Sequence, residues 1–143
     1  MDRAIASAAS VRGTTAPNPW VGAVLLSGTG ELFDGATQPA GGLHAERVAL
    51  DAAGKAAQGA TLVTTLEPCC HTGRTDPCVD YIIDAGIVRV VVGLTDPDPR
   101  VTGAGISALR DSGIEVIEGA QRQAVTDQLE PYLHHRTTGR PWV

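Results

Sequence analysis

Three side chains of this 143-residue sequence have the types and order of a catalytic zinc site, namely His44, Cys69 and Cys78. A catalytic zinc keeps about three protein ligands, often imidazole and thiolate, and leaves its fourth position to water. Glu46 follows the histidine by two residues and need not be a ligand, so its carboxylate is free to move protons to and from that water. The pattern predicts one zinc ion per chain with a general acid/base beside it.

Cys70 and His71 compete with Cys69 for the ligand role. Adjacent side chains on an extended backbone point to opposite sides, so Cys69 and Cys70 are not expected to bind one ion together. A Pro-Cys pair that follows an earlier His-x-Glu is the signature of zinc deaminases, which favours Cys69. We expect His71 to line the pocket instead. Eight residues separate Cys69 from Cys78 where the usual signature has two, and a compact turn containing glycine and proline can return the second thiolate to the metal.

The composition is that of one globular domain that acts on small molecules. Hydrophobic residues make up 43% and charged residues 19% of a chain long enough to bury a core. The net charge of -5 argues against binding to nucleic acid, which needs clustered Lys and Arg. Three cysteines favour metal ligation in a reducing compartment over disulfides. With neither a signal peptide nor an apolar run of the roughly 18 residues that a membrane span needs, the expected location is the cytoplasm, away from membranes.

Hydrophobic periodicity predicts the elements that must position these residues. The predicted order is a helix at 2–11, strands at 21–26 and 31–33, a helix at 44–53, a strand at 60–66, a helix at 77–85, a strand at 87–94, a helix at 105–111, a strand at 114–117 and a helix at 121–135. Residues 34–42 are expected to form an irregular loop. This order predicts an α/β fold, a three-layer α/β/α sandwich around one five-stranded mixed sheet.

The predicted elements place the candidate ligands at element ends. His44 and Glu46 lie in the first turn of a helix, where unpaired backbone N–H groups and the helix dipole create a positive potential. Cys69 comes just after the carboxyl end of a strand, where open α/β sheets commonly bind ligands. Cys78 starts another helix, which favours its thiolate form.

Two proline-rich turns carry polar side chains that pattern alone does not assign. Asn18 lies between two prolines, and because asparagine is common in turns, a turn-forming role is the favoured interpretation. Asp96 and Asp98 are each followed by proline, and their carboxylates suit a turn and hydrogen bonding to a polar ligand about equally well.

Together these segments resemble the deaminase domain of the bifunctional riboflavin-biosynthesis deaminase/reductase, a cytidine-deaminase-like fold. The resemblance covers nearly the whole chain, and the gap of eight residues between the cysteines is its most specific element. The motifs that carry it are His44-Ala45-Glu46, the segment from Glu67 to Cys78, the Pro17-Asn18-Pro19 turn, and Asp96-Pro97-Asp98-Pro99 with Gly103-Ala104-Gly105-Ile106.

The resemblance implies a zinc hydrolase that removes the 2-amino group of 2,5-diamino-6-(5-phosphoribosylamino)pyrimidin-4-one and releases ammonia. It implies that His44, Cys69 and Cys78 are the zinc ligands and that Glu46 is the general acid/base. It also implies that the substrate pocket is lined by Asn18, His71, Arg74, Asp96 and Asp98. Arg74 is a candidate partner for the substrate's phosphate.

Three positions depart from the family's usual residues, with Asp98 in place of Asn, Asp76 in place of Pro and Thr37 in place of His. Because aspartate only accepts hydrogen bonds where asparagine also donates, a different small aminopyrimidine or nucleoside is an alternative substrate. A non-catalytic, zinc-stabilised binding module is a second alternative, and it would fill the fourth zinc position with Cys70 or His71. A nucleic-acid deaminase is disfavoured by the acidic charge and the few aromatic residues.

The sequence also suggests a domain division. Residues 1–135 are predicted to form the zinc-dependent deaminase domain, and residues 136–143 resemble a linker leading into the family's reductase domain. We therefore expect no NADPH dependence from these residues. Relatives are often dimeric or tetrameric, which makes a homo-oligomer a further expectation.

Overall fold

The computed structural model describes residues 1–70, 77–99 and 101–142. Five strands and five α-helices follow one another in the predicted order. They are α1 (Asp2–Ala9), β1 (Gly22–Leu26), β2 (Leu32–Ala36), α2 (Ala45–Ala53), β3 (Thr61–Leu66), α3 (Cys78–Asp84), β4 (Arg89–Leu94), α4 (Ala104–Asp111), β5 (Glu115–Glu118) and α5 (Arg122–Thr138), with a short 3-10 helix (Gly54–Ala57) after α2.

The strands form one mixed sheet in the order β2-β1-β3-β4-β5. Strand β1 is antiparallel to both β2 and β3, whereas β3, β4 and β5 are parallel. Two glycines show that α1 and α2 cover opposite faces. A Cβ on Gly22 would lie 1.8 Å from the carbonyl oxygen of Ala4 in α1, and one on Gly35 would lie 2.1 Å from that of Ala45 in α2. Helix α5 joins the layer of α1, and α3 and α4 join that of α2. The predicted three-layer α/β/α sandwich is confirmed.

The core between these layers is aliphatic. Its fully buried large side chains include Leu25, Leu62, Ile82, Val90 and Leu109. Apolar burial of this kind is the main favourable contribution to folding. Alanines on the inner faces of α1 and α2 let both helices approach the sheet closely.

Two predicted boundaries differ from the structure by three residues, and the others differ by two residues at most. Strand β2 continues through Ala36, where a loop was expected, because Asp34 and Gly35 pair with β1 despite their low preference for strands. Helix α5 ends at Thr138 rather than at His135. Gly139, with a φ of 69°, donates its N–H to the carbonyl of His135 and ends the helix in the left-handed conformation that glycine adopts easily.

The register of the sheet brings several element ends to one edge. Leu66 and Leu94 are partners at the carboxyl ends of parallel β3 and β4. Because β1 runs antiparallel to β3, the start of β1 lies at the same edge, where Ala23 is paired with Thr64. The turn before β1 and the segments after β3 and β4 therefore meet there. Among the described residues, no helix is both long and apolar enough to cross a membrane.

Candidate zinc centre and substrate pocket

A pocket of about 360 Å³ opens at this edge of the sheet. It brings together most of the side chains that the sequence singled out. The predicted site residues that line it are Asn18, His44, Glu46, Cys69, Asp96 and Asp98. Cys78 is buried directly behind, in contact with His44. The predicted pocket residues His71 and Arg74, and the departure at Asp76, lie outside the described residues.

His44, Cys69 and Cys78 form a cluster whose candidate ligand atoms all lie within 4.8 Å of one another. The Nδ1 atom of His44 is 3.6 Å from the sulfur of Cys69 and 3.3 Å from that of Cys78. A tetrahedral zinc with bonds of about 2.3 Å to sulfur and about 2.0 Å to nitrogen separates the two ligand atoms by about 3.5 Å. The donor set and its spacing therefore fit zinc. Cys70 does not belong to the cluster.

The cluster is held by the starts of two helices. His44 is the N-cap of α2, and Cys78 is the first residue of α3. The backbone N–H of Cys78 donates to the sulfur of Cys69 at 3.3 Å, and the N–H of Val79 donates to the carbonyl of Cys69 at 3.1 Å. Cys69 thus satisfies donors that the first turn of a helix leaves without intrahelical partners.

The two thiols of the cluster differ in their protonation. Contacts with the sulfur of Cys78 and with the His44 ring lower the pKa of Cys69 to about 4. The contact between the two sulfurs, together with burial, raises the pKa of Cys78, contrary to the effect expected from its place at a helix start. In the absence of a metal the proton of this pair is therefore favoured on Cys78. Binding of zinc would release the second proton, because the metal needs deprotonated ligands.

Glu46 is buried beside the cluster in the first turn of α2. Its Oε2 atom accepts a hydrogen bond from the Cys78 thiol at 3.9 Å. Burial raises the pKa of Glu46 to about 7, although the nearby His44 ring works in the opposite direction. A carboxyl group with a pKa near neutrality can both accept and return a proton, as general acid/base catalysis requires.

Glu67 is a buried residue of the pocket wall that sequence reasoning did not single out. Its carboxylate accepts N–H groups from Asp96, Gly103 and Ile106 at 3.2, 2.9 and 3.1 Å. It thereby joins the end of β3 to the turn after β4 and to the start of α4, where the helix dipole favours a negative charge. Its neighbour in the motif, Pro68, lies so close to α4 that a Cβ on Gly105 would be 2.1 Å from its carbonyl oxygen.

Asp96 and Asp98 are buried in the turn after β4 and meet the C-terminal helix. The Oδ1 atom of Asp96 accepts the N–H of Asp98 at 2.8 Å and the hydroxyl of Tyr132 at 3.4 Å. Arg136 forms an ion pair with Asp98. Burial raises the pKa of Asp96. The sequence analysis did not identify Tyr132 and Arg136 as pocket residues. Their spacing of four residues, which places both on one face of α5, could have indicated a shared role.

The turn before β1 and the residue after β2 complete the pocket. The buried Thr15 hydroxyl donates to the carbonyl of Asn18 at 2.8 Å, and the N–H of Asn18 donates back to the carbonyl of Thr15 at 2.9 Å. Thr37 accepts the N–H of Val21 at 3.0 Å through its hydroxyl. Asn18 therefore forms a turn and also lines the pocket.

Comparison with known proteins finds a family model and relatives that match this chain. The family model of the cytidine and deoxycytidylate deaminase zinc-binding region matches residues 1–94. The riboflavin biosynthesis protein RibD of Corynebacterium ammoniagenes is 53% identical over 135 residues, which are 93% of this chain and 40% of that protein.

Solved structures agree with the sequence comparisons. RibD of Acinetobacter baumannii matches with a TM-score of 0.93 at 40% identity, over 99% of this chain and 40% of that one. A diaminohydroxyphosphoribosylaminopyrimidine deaminase/5-amino-6-(5-phosphoribosylamino)uracil reductase from Thermotoga maritima matches with a TM-score of 0.91 at 42% identity, over 99% of this chain and 41% of that one.

These similarities confirm the family resemblance that the sequence motifs indicated. The chain spans about two fifths of the length of the relatives that it matches. The family model matches well over half of the chain, and its matched segment contains the whole His44, Cys69 and Cys78 cluster. This chain belongs to the cytidine and deoxycytidylate deaminase family and carries its zinc-binding region.

Proposed function

We propose that this chain catalyses the zinc-dependent hydrolytic deamination of 2,5-diamino-6-(5-phosphoribosylamino)pyrimidin-4-one in riboflavin biosynthesis. The products are the corresponding uracil derivative and ammonia. The observation that carries the proposal is a buried Glu46 next to a three-residue zinc cluster, with both facing one pocket. Support for the substrate comes from the similarity to the Thermotoga maritima protein, whose name describes a deaminase of such a pyrimidine.

The roles proposed for the cluster follow from its donor set. His44, Cys69 and Cys78 would hold the zinc and leave one coordination position open. When bound there, zinc supplies the positive charge that lowers the pKa of a water molecule toward neutrality. The chain's own contribution is to hold three ligand atoms at the spacing that zinc needs and to keep a proton carrier beside them.

Glu46 is the proposed proton carrier. Its carboxylate accepts a proton from water as the new C–O bond forms at the ring carbon that bears the amino group. It passes that proton to the ring nitrogen. The carboxylate then takes the proton of the new hydroxyl group and passes it to the amino group, so that the C=O bond forms, the C–N bond breaks and ammonia leaves. Burial raises the pKa of Glu46 to about 7 in the metal-free site, and the positive charge of a bound zinc would lower it.

Recognition of the substrate is proposed to use the polar rim of the same pocket. Asn18 can donate and accept hydrogen bonds, whereas the carboxylates of Asp96 and Asp98 accept them from ring N–H, amino or ribose hydroxyl groups. His71 and Arg74 stay proposed pocket residues on the strength of the family resemblance alone.

The test is ammonia release from the diaminopyrimidinone ribotide by zinc-loaded protein. Glu46→Gln removes the proton carrier while keeping the size of the side chain, so kcat should fall by about 10²- to 10⁴-fold with zinc content unchanged. Glu31→Gln, an exposed residue in the turn between β1 and β2, is the matched control and should keep full activity. Full turnover by a zinc-replete Glu46→Gln variant would refute the proposed role.

The same assay separates the alternatives. A zinc-replete parent protein that releases ammonia from a different aminopyrimidine or nucleoside, and not from the ribotide, would support the alternative substrate. One bound zinc without turnover of any of them would support the non-catalytic binding module.

Several broader expectations are kept as proposals. We propose a cytoplasmic protein that binds a small phosphoribosylated pyrimidine and neither nucleic acid nor membrane, and a dimer or tetramer stays a prediction. The division into a deaminase domain at 1–135 and a linker at 136–143 also stays a prediction. Helix α5 crosses position 135 and ends at Thr138.

A further inference from the structure

Arg136 lies in the last part of α5 and lines the substrate pocket. About 31% of its side chain is exposed, whereas its ion-pair partner Asp98 is only 6% exposed. The guanidinium also lies 6.0 Å from the ring centre of Tyr132, one helical turn earlier. The long side chain is thus held against the pocket wall and does not extend freely into solvent.

Most N–H donors of Arg136 have no acceptor among the described residues. A guanidinium has five N–H donors arranged in a rigid fork. Within the described part of the chain, Arg136 makes one hydrogen bond, from Nη2 to Asp98. The other donors are therefore available to an acceptor that enters the pocket.

The charges around Arg136 make it the natural site for an anion. Four carboxyl groups line the pocket, those of Glu46, Glu67, Asp96 and Asp98. Among the described residues of the lining, Arg136 carries the only guanidinium or ammonium group. A negatively charged group that enters this pocket is repelled by the carboxylates and is attracted by Arg136, as it would be by a zinc bound at the His44, Cys69 and Cys78 cluster.

The ion pair with Asp98 restricts the conformations of the Arg136 side chain. The backbone of Asp98 is fixed on both sides, because its N–H donates to Asp96 and its carbonyl accepts the Thr102 hydroxyl at 2.7 Å. A guanidinium tied to such a rigid carboxylate loses little conformational freedom when it binds a ligand. The planar fork is also well matched to phosphate, which it can bind through two parallel hydrogen bonds.

We propose that Arg136 binds the phosphate of the substrate, a role for which the family resemblance suggested Arg74, with Asp98 orienting its guanidinium. The inference rests on the proposed function, since it assigns the phosphorylated end of that substrate to the α5 wall of the pocket. It makes Arg136 a specificity residue, because it favours the ribotide over the same pyrimidine without phosphate.

An alternative interpretation of the same ion pair is that Arg136 only holds the side chain of Asp98 in position. The two roles differ in how they depend on the substrate. A phosphate contact matters only when the phosphate is present, whereas a misplaced Asp98 affects phosphorylated and dephosphorylated substrates alike.

The test compares kcat and KM for the ribotide and for its dephosphorylated riboside in zinc-loaded Arg136→Met, Arg136→Lys and parent protein. Loss of a charge-assisted contact should raise KM for the ribotide by about 10- to 100-fold in Arg136→Met and leave KM for the riboside nearly unchanged. Arg136→Lys keeps the charge and should recover part of the loss. Arg122→Met, at an exposed position of the same helix, is the matched control.

Equal losses on both substrates, or no loss on either, would overturn the proposal. If the parent deaminates neither substrate, the proposed function fails independently, and calorimetry with ribose 5-phosphate still decides the role of Arg136. Binding of ribose 5-phosphate to the parent that is lost in Arg136→Met and kept in Arg122→Met supports the phosphate contact. Equal binding to all three proteins, or binding to none, contradicts it.

Discussion

At the scale of single residues, burial and hydrogen bonding set opposite protonation states within a few ångströms. The sulfur of Cys69 accepts the backbone N–H of Cys78 and lies beside the Cys78 sulfur and the His44 ring, so its thiolate is stabilised. Glu46 is buried with little hydrogen-bonding support, so its neutral form is stabilised. Both side chains are acids, but the deprotonated form is favoured for Cys69, as a metal ligand requires, and the protonated form is favoured for Glu46.

The raised pKa of Glu46 predicts a pH-dependent stability in zinc-free protein. The pKa rises from 4.5 to about 7 on folding, so this contribution is fully present below pH 4.5 and is lost as the pH rises to about 7. Over this range zinc-free parent protein should lose about 3 kcal/mol of unfolding free energy relative to Glu46→Gln. Urea unfolding of both proteins in chelator at several pH values measures the difference.

The control for this prediction is Glu31→Gln, which removes an exposed carboxyl group. Its unfolding profile should run parallel to that of the parent. If the Glu46→Gln and parent profiles were also parallel between pH 4.5 and 7, the carboxyl group of Glu46 would not be a buried acid with a raised pKa.

At the scale of elements, the zinc cluster depends on how α2 sits against α3, since each helix supplies a ligand at its start. Arg47, in the first turn of α2, lies with its guanidinium carbon 3.7 Å from the ring centre of Tyr81 in α3. The same guanidinium pairs with Asp51 one turn later on α2. This stacked contact ties the two ligand-bearing helices together close to the cluster.

A double-mutant cycle with Arg47→Met and Tyr81→Leu should detect this tie. We expect a coupling free energy of about 0.5–1 kcal/mol in urea unfolding, as is typical of a partly exposed cation–π contact. The cycle removes the separate effect of losing the Asp51 pair, which is common to both of its arms. A coupling energy indistinguishable from zero would show that the stacking does not link the helices.

The elements were largely predictable from the sequence, but their long-range contacts were not. Apolar periodicity located all ten elements, and the His-x-Glu and Pro-Cys motifs pointed to a cluster that the fold assembles. The hydrogen bonds from the start of α4 to Glu67 join residues 36 and 39 positions apart, and nothing in the local pattern of a Glu-Pro-Cys motif encodes them. The last three residues of β2 were not predicted as strand for a related reason. Pairing with β1 outweighs the low intrinsic strand preference of Asp34 and Gly35.

At the scale of the whole molecule, zinc would join three parts of the chain that are separated in sequence. Its three proposed ligands come from the start of α2, the segment after β3 and the start of α3. A ligand that binds only the folded state stabilises that state in proportion to the logarithm of its concentration over Kd. The metal is therefore expected to act as a structural brace as well as a chemical group.

Removal of zinc should lower the thermal stability of the chain. At free zinc about 1,000-fold above Kd the stabilisation is about 4 kcal/mol, which corresponds to a fall in Tm on the order of 10 °C on chelation. Cys69→Ser should lose most of this zinc-dependent shift, whereas Cys70→Ser, outside the cluster, should keep it. Calorimetric scans with chelator and with restored zinc measure the shift. A shift lost in Cys70→Ser and kept in Cys69→Ser would reverse the ligand assignment.

The end of the family match, at residue 94, divides the pocket-lining residues into two groups along the chain. The zinc cluster and Glu46 lie within residues 1–94, the segment that the family model matches. Asp96, Asp98, Tyr132 and Arg136, which form the opposite wall of the pocket, all lie beyond it. The proposed zinc ligands and proton carrier therefore all precede residue 95, whereas the proposed substrate contacts lie on both sides of it, with Asn18 before it and Asp96, Asp98 and Arg136 after it. An exchange of residues 95–138 between relatives is therefore expected to change substrate preference while the zinc ligands and Glu46 stay in place.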